Sequence, residues 1–486
     1  MAASYPPGFG IAHVGRRRPR RLWRCGVTVT VAVASMLLAG CASSSHTRTP
    51  DSARIPVVVD TDMGADDIVS LLYLLGRADL NVVAITVDGD GLVRCPAGVA
   101  NVRALLRATG GPEVPVACGS TSPMQGAVSF PDSWRDQADG FYGMAGRWPM
   151  PASASSTTGD AAALIASSLR AHPGARIVAL GPLTTVAQAL SIPDVISTNP
   201  VVIVSGGAVN GSGNMPTKGR VLPVVEWNIG IDPVAADKVL RSGAIQEWVP
   251  LDASNEVPLD SWFVAALAAE PRTHLGDLAL TFLQANPSIS RGGFYLWDAL
   301  AAAAVTPTAV MSTQRITMSV LSSGADAGRT IVDSSGATVD VANHADFVEF
   351  TRGLLHAFGR ATGAGNSYQP GIATIRLAKR DGVVTYRAPA QLPAGQASVS
   401  FDASSGTGFA AIIGRLAAGH TLADLQAFIA HGVATAPPWF AIEAQVDVPD
   451  GSQPTWLVDL PAGDHVVVCA DRDGSGITAL GQFVTR

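Results

Sequence analysis

The segment Asp60-Thr61-Asp62-Met63-Gly64-Ala65-Asp66-Asp67 places four carboxylates within eight residues, directly after the apolar run Ile55 to Val59. Acids that close repel one another unless a cation or a positively polarised helix start lies among them. The β-branched run, then Gly64, then Ile68, Leu71, Leu72, Leu74 and Leu75 read as strand, turn and helix. The acids therefore fall at the carboxyl end of a strand, where open α/β sheets keep their ligand sites.

The same alternation continues to about Arg360. Asn81 to Val87, Val114 to Ala117, Arg176 to Leu180, Val201 to Ser205 and Glu247 to Leu251 read as strands. Val99 to Thr109, Asp160 to Ala171, Thr184 to Leu190 and Pro233 to Arg241 read as the helices between them. The expected fold class is α/β, a mainly parallel sheet with helices on both faces, over residues 55–360. Ala361 to Gln369 turns to Gly, Ala, Ser and Thr before Pro370, a linker expected at 361–372. Beyond it, Ala397 to Phe401, Trp456 to Leu460 and His465 to Cys469, punctuated by Pro and Gly, predict a small β-sandwich over 373–486.

The amino terminus reads as a targeting segment. Arg16 to Arg24 is basic, Val27 to Leu38 is apolar, and Leu38-Ala39-Gly40-Cys41 ends in small residues and a cysteine. This resembles a bacterial lipoprotein signal over 1–40, which implies cleavage before Cys41 and lipidation of that residue. A polar tether, 41–54, follows. The expectation is an exported cell-envelope lipoprotein anchored to the outer face of the membrane; the apolar run is short for a membrane span. Arg20-Arg21 leaves the Sec and twin-arginine routes both open.

About 445 residues remain without that leader, enough for one large domain and a smaller one. Apolar residues make up 47% of the chain and charged ones 15%, with a net charge of -6 that includes the basic leader. So acidic a mature chain excludes nucleic acid as an expected partner. Of the five cysteines, Cys95, Cys118 and Cys469 lie past the lipidation site. A Cys95 to Cys118 disulfide is compatible with an oxidising compartment, though buried small residues is the first reading, and no metal spacing links the three.

Further segments give the opening motif its company: Gly89-Asp90, Gly181-Pro182-Leu183-Thr184, Gly206-Gly207, Gly213-Asn214, Val225-Glu226-Trp227-Asn228-Ile229, Asp232-Pro233 and Trp297-Asp298. Together they resemble the nucleoside hydrolases, calcium-dependent enzymes that cleave the N-glycosidic bond of ribonucleosides. The resemblance covers about three hundred residues from Ile55. It implies a Ca2+ ion held by Asp62, Asp67, Asp298 and the backbone carbonyl of Thr184, with ribose hydroxyls completing the shell. A hard cation takes oxygen ligands of this kind. Asp62 is then the base that activates a metal-held water. Catalytic roles fall to Asp62, Asp298 and Asn228, while Asp66, Asp90, Asn214, Glu226 and Asn228 grip ribose and favour an oxocarbenium-like transition state. Asp60 is expected to orient the loop. The resemblance also allows a homo-oligomer.

The chain departs from the best-known branch of that family. A histidine commonly precedes the last metal aspartate, and here Trp297 stands there; a His-Gly in the loop after the third strand corresponds to Asp139-Gly140. Both departures, with Asp90 in place of asparagine, resemble the purine-preferring branch, which stacks the base between two tryptophans. Trp297 and Trp134 are the candidates. Plainer roles compete: Asp66 as a helix cap, Asn228 as an Asx-turn residue, Glu226 as a solvated strand-end charge. The missing histidine favours an alternative, a nucleoside-binding lipoprotein with little or no turnover. A phosphotransfer enzyme using Asp60 fits less well, because Gly64 stands where such enzymes place Thr or Val. In the carboxyl-terminal segment His465 and Cys469 resemble a cupredoxin-like sandwich, but without a His-rich loop or a following methionine no copper is expected.

Overall fold

The computed structural model describes residues 54–149, 160–216, 223–269, 271–359, 373–380, 383–392, 395–403, 408–431, 436–448, 455–471 and 477–486. The expected leader, Cys41, the tether up to Ala53 and the linker at 361–372 lie outside the described residues. Among the described residues no helix is long and apolar enough to cross a membrane.

From β1 (Ile55–Thr61) the chain runs α1 (Ala65–Gly76), β2 (Leu80–Val87), α2 (Cys95–Thr109), β3 (Val116–Cys118), α3 (Asp132–Asp139), α4 (Ala161–Ala171) and β4 (Arg176–Ala179). Next come α5 (Thr184–Leu190), β5 (Val201–Ser205), α6 (Trp227–Ile231), α7 (Pro233–Leu240), β6 (Ile245–Val249) and α8 (Leu251–Ser254). The strand expected at Glu247 to Leu251 is displaced toward the amino terminus, because Pro250 has no N–H to offer the ladder and Leu251 already begins α8. Then follow β7 (Pro258–Asp260), α9 (Ser261–Ala269), α10 (His274–Ala285), β8 (Arg291–Tyr295), α11 (Trp297–Ala303), β9 (Met311–Val320), β10 (Thr330–Val332), β11 (Ala337–Ala345) and α12 (Phe347–Phe358).

Nine strands form one sheet in the order β10-β9-β11-β6-β5-β4-β1-β2-β3. From β3 to β11 neighbouring strands are parallel; β9 and β10 extend the edge antiparallel. The chain winds outward from β1 through β2 to β3 and then returns to β4 on the other side of β1. That reversal opens a crevice at the carboxyl ends of β1 and β4. β1 is buried on both faces: Val57 and Val59 pack with Ile68, Leu71 and Leu72 of α1, and Val58 packs with Ile165 and Leu169 of α4. A doubly covered strand needs no polar alternation, which explains the unbroken Val run.

The carboxyl-terminal region holds β12 (Ala373–Arg380), β13 (Val383–Arg387), β14 (Gln391–Leu392), β15 (Gly395–Asp402), β16 (Phe409–Leu416), α13 (Leu422–Ala430), β17 (Phe440–Val448), β18 (Thr455–Leu460), β19 (Gly463–Asp471) and β20 (Ile477–Thr485). They form two sheets, β13-β12-β15-β18 and β14-β20-β19-β16-β17, whose inner faces share Leu377, Val399, Phe401, Phe409, Val467 and Phe483. Tyr295 of β8 belongs to that same core, and β17 and β18 pack on β7 and β8. His465 lies flat against Phe483, its Nε2 2.8 Å from the Pro461 carbonyl, and burial pushes the Cys469 thiol up to about 12.

Candidate active site

The four acids of the opening motif sit at the switch point, and the backbone there is under constraint. Met63 adopts the left-handed conformation at φ 55°, uncommon for a side chain of its size, with its N–H donated to Thr61 Oγ1 at 3.0 Å. Gly64 carries no side chain because a Cβ there would lie 2.8 Å from Asp67 Oδ2. Its N–H donates to that same oxygen at 2.9 Å, and the Thr61 hydroxyl donates to the other. Asp62 is wedged between Gly91 and Gly181, either of which would strike it with a Cβ, and accepts the Leu92 N–H at 2.9 Å.

Asp66, Asp67 and Asp298, the last from α11, can bring oxygens within 4.8 Å of one another. The Ser205 side chain favours the charged form of Asp298. Burial first, and the charge of Asp67 second, hold the Asp62 carboxyl well above the usual carboxylate range and that of Asp66 at about 7. Asp298 is raised likewise by burial and by Asp66 and Asp67, and burial raises Asp67 against hydrogen bonds from its neighbours. No lysine or arginine is among the described residues that line this cavity. Crowded, desolvated carboxylates with no basic neighbour suit a hard divalent cation.

Beside this acid floor lies a polar flank. Glu226 is 5% exposed, not the solvated charge its position also allowed, and caps α6 by accepting the N–H groups of Asn228 and Ile229. The Asn228 amide donates to the carbonyls of Leu180 and Ser205 at 2.8 and 3.1 Å, tying together the ends of β4 and β5. Asn214 Oδ1 accepts the Trp227 N–H at 3.0 Å.

Aromatic groups form the walls. Trp134 on α3 stands edge-on to Trp227 at 5.5 Å, and Phe130 stacks on Trp227 at 4.7 Å. Arg94 holds α3 through Asp132, Asp136 and Asp139, and Arg135 donates to the Gly89 carbonyl at 2.7 Å. The neighbouring residue, Cys95, is joined to Cys118 by a disulfide, so the reading of these two as separate buried residues gives way to a bond between α2 and β3. Trp297, which also lines the cavity, donates its indole N–H to Asn255 at 2.8 Å and packs against Phe294 and Tyr295.

Of the residues expected from sequence, Asp62, Asp66, Asp67, Trp134, Asn214, Glu226, Asn228, Trp297 and Asp298 line one cavity of about 830 Å3. Thr184 and Asp90 do not. Thr184 is fully buried at the start of α5, its hydroxyl donating to Asp90 at 2.6 Å and Asp232 at 2.8 Å, behind the floor. The residue of that stretch that does line the cavity is Leu180, at the end of β4. Burial pushes Asp90 up to about 6; Asp60 is held at about 6 by burial, against hydrogen bonds from Asp88 and Thr86. These acids brace the floor from below. Tyr142 also lines the cavity and was not expected: its backbone is left-handed at φ 50°, and burial with the charges of Asp62, Asp66, Asp67 and Asp298 raises its phenol far above the usual range.

A parallel sheet with an acid floor at its switch point, ringed by amides and indoles, defines a site for a small polar ligand with a flat end. The chain belongs to the inosine-uridine preferring nucleoside hydrolase family, which its residues 57–352 match. These are glycosidases that hydrolyse N-glycosyl compounds. Over 231 residues the chain is 30% identical to an uncharacterized protein of Schizosaccharomyces pombe, a stretch covering 47% of this chain and 71% of that one. It is 32% identical over 207 residues to a probable uridine nucleosidase of Oryza sativa subsp. japonica, covering 42% of this chain but only 60% of the relative. Among solved structures, a purine-preferring ribonucleoside hydrolase from Gardnerella vaginalis superposes with a TM-score of 0.52 at 26% identity, over 62% of this chain and 97% of that one.

Proposed function

We propose that the protein hydrolyses the N-glycosidic bond of ribonucleosides, purine nucleosides foremost, to ribose and free base. The observation that carries this reading is the convergence of Asp62, Asp66, Asp67 and Asp298 on a cavity whose walls hold Trp134 and Trp297. Asp66, Asp67 and Asp298, with Asp62 beside them, would hold a divalent cation, which we take to be calcium. Bound there, such a cation compensates the carboxylates and lowers the pKa of nearby water. Asp62, fixed by the Leu92 N–H and the two flanking glycines, accepts a proton from water as the water oxygen bonds to C1′ of the ribose. The C1′–N bond breaks and its electron pair leaves with the base, which takes a proton from solvent. The surrounding carboxylates favour the positive charge that develops on the sugar. Asn214, Glu226 and Asn228 orient ribose from the polar flank, and the indoles accept the flat base.

Incubation of the calcium-loaded protein with inosine, guanosine, adenosine and uridine, with and without chelator, tests the reading. Ribose release that is fastest from the purines, stops with chelator and is lost in Asp62→Ala is the expected result. One observation favours binding without turnover, the absence of an acid side chain where Trp297 stands; tight nucleoside binding with no ribose release would bear that out. Export and lipidation at Cys41 rest on the leader residues alone. Labelling of the wild-type chain, but not Cys41→Ala, with a fatty-acid analogue is the outcome we expect.

A further inference from the structure

The cavity is not closed by the hydrolase fold alone. Leu425, Phe428 and Ile429 of α13, with Phe440 and Ile442 of β17, line it from the carboxyl-terminal sandwich. The family match ends at residue 352, so this wall belongs to no part of the matched fold. It is anchored: Tyr295 lies in the sandwich core, Trp297 packs against that core, and β17 rests on β8.

The cavity is divided by polarity. Its carboxylates and amides gather at the floor and flank, where ribose hydroxyls find partners. The sandwich side is nearly all apolar, and its carboxylate, Glu443, is held by Arg415 at 2.7 Å. Ile442 is 47% exposed, a large apolar side chain facing open space. At about 830 Å3 the cavity is near the upper end for small-molecule sites. A plain ribonucleoside, on the order of 20 non-hydrogen atoms, fills roughly a third of it. With ribose fixed at the floor, the remaining apolar space lies at the base end.

Resting on the hydrolase reading, we infer that the sandwich is the specificity wall of this enzyme and that the site takes ribonucleosides whose base carries a bulky apolar substituent. The wall supplies desolvation for that substituent, and Trp297 links it to the floor.

The test compares adenosine with N6-cyclohexyladenosine, using the full calcium-loaded chain, by ribose release and by calorimetric Kd. The expected result is a kcat/KM for the substituted nucleoside at or above that for adenosine. Ile442→Asp and Phe428→Ala should each lower the ratio of the two values by about tenfold or more. The ratio cancels any loss of folded protein. Cleavage of adenosine with rejection of the substituted compound, or a ratio unmoved in both variants, overturns the inference. Should neither compound be hydrolysed, the hydrolase reading falls, and the Kd ratio then judges the wall alone by the same tenfold criterion.

Discussion

The floor and the walls of the cavity are built by opposite means. The floor stands on the end of β1 and the first turns of α1 and α11, and it is packed tight: Asp62 is 2% exposed and crowded by Gly91 and Gly181. The walls stand on short helices and on a second sheet system, and Trp134 is 45% exposed on an eight-residue helix held by surface ion pairs. Chemistry that tolerates little displacement is placed where the backbone is most constrained. On the proposed reading, recognition of a flat, variable base falls where elements can change without disturbing the sheet.

Breaking the floor should cost most. Asp62→Ala is expected to lower kcat by on the order of a thousandfold with the fold intact, read by ribose release and circular dichroism. Asp298→Ala should abolish calcium binding in calorimetry, whereas Thr184→Val should weaken it little, since that hydroxyl bonds behind the floor. Breaking a wall should cost less and depend on substrate: Trp134→Ala is expected to lower kcat/KM for inosine by roughly tenfold or more, and for uridine less, because stacking scales with the base. Loosening the mounting of that wall should cost least among the activity variants. Arg94→Gln frees α3 from the guanidinium that its three aspartates hold, and a rise of about two- to threefold in KM is expected, reproduced in the wild type by high salt.

Away from both, His344 on β11 touches buried Glu256, which follows α8, at 2.7 Å. The Glu256 carboxylate holds the imidazole above its ordinary 6.5, while burial pushes Glu256 up against the pull of His344. A histidine raised on folding adds stability that is full below 6.5 and fades as pH climbs past the raised value. The melting temperature of the wild type should therefore exceed that of His344→Gln at about pH 5.5, and the gap should narrow by about pH 8.5.

The floor was legible because its residues announce themselves: four acids after a β-branched run, and Gly64 where the turn needs it. Gly181-Pro182-Leu183-Thr184 marks a turn in the sequence, while the residue of that stretch that lines the cavity is apolar Leu180, which carries no polar signal to announce it. Tyr142 depends on two successive left-handed residues, Phe141 and Tyr142, which no composition predicts. β9 and β11 escaped notice because they lie near the solvated edge of the sheet, where polar side chains blur the period. In the sandwich, the apolar residues facing the cavity read the same as those facing the core.

Tyr295 lies three residues before Asp298, yet one belongs to the heart of the sandwich and the other to the acid floor. The two halves are therefore not modules that can be traded. A protease that trimmed the chain back to its hydrolase fold would strip Tyr295 of its packing and pull on the helix that carries Asp298. Heating should accordingly melt both halves in one calorimetric transition.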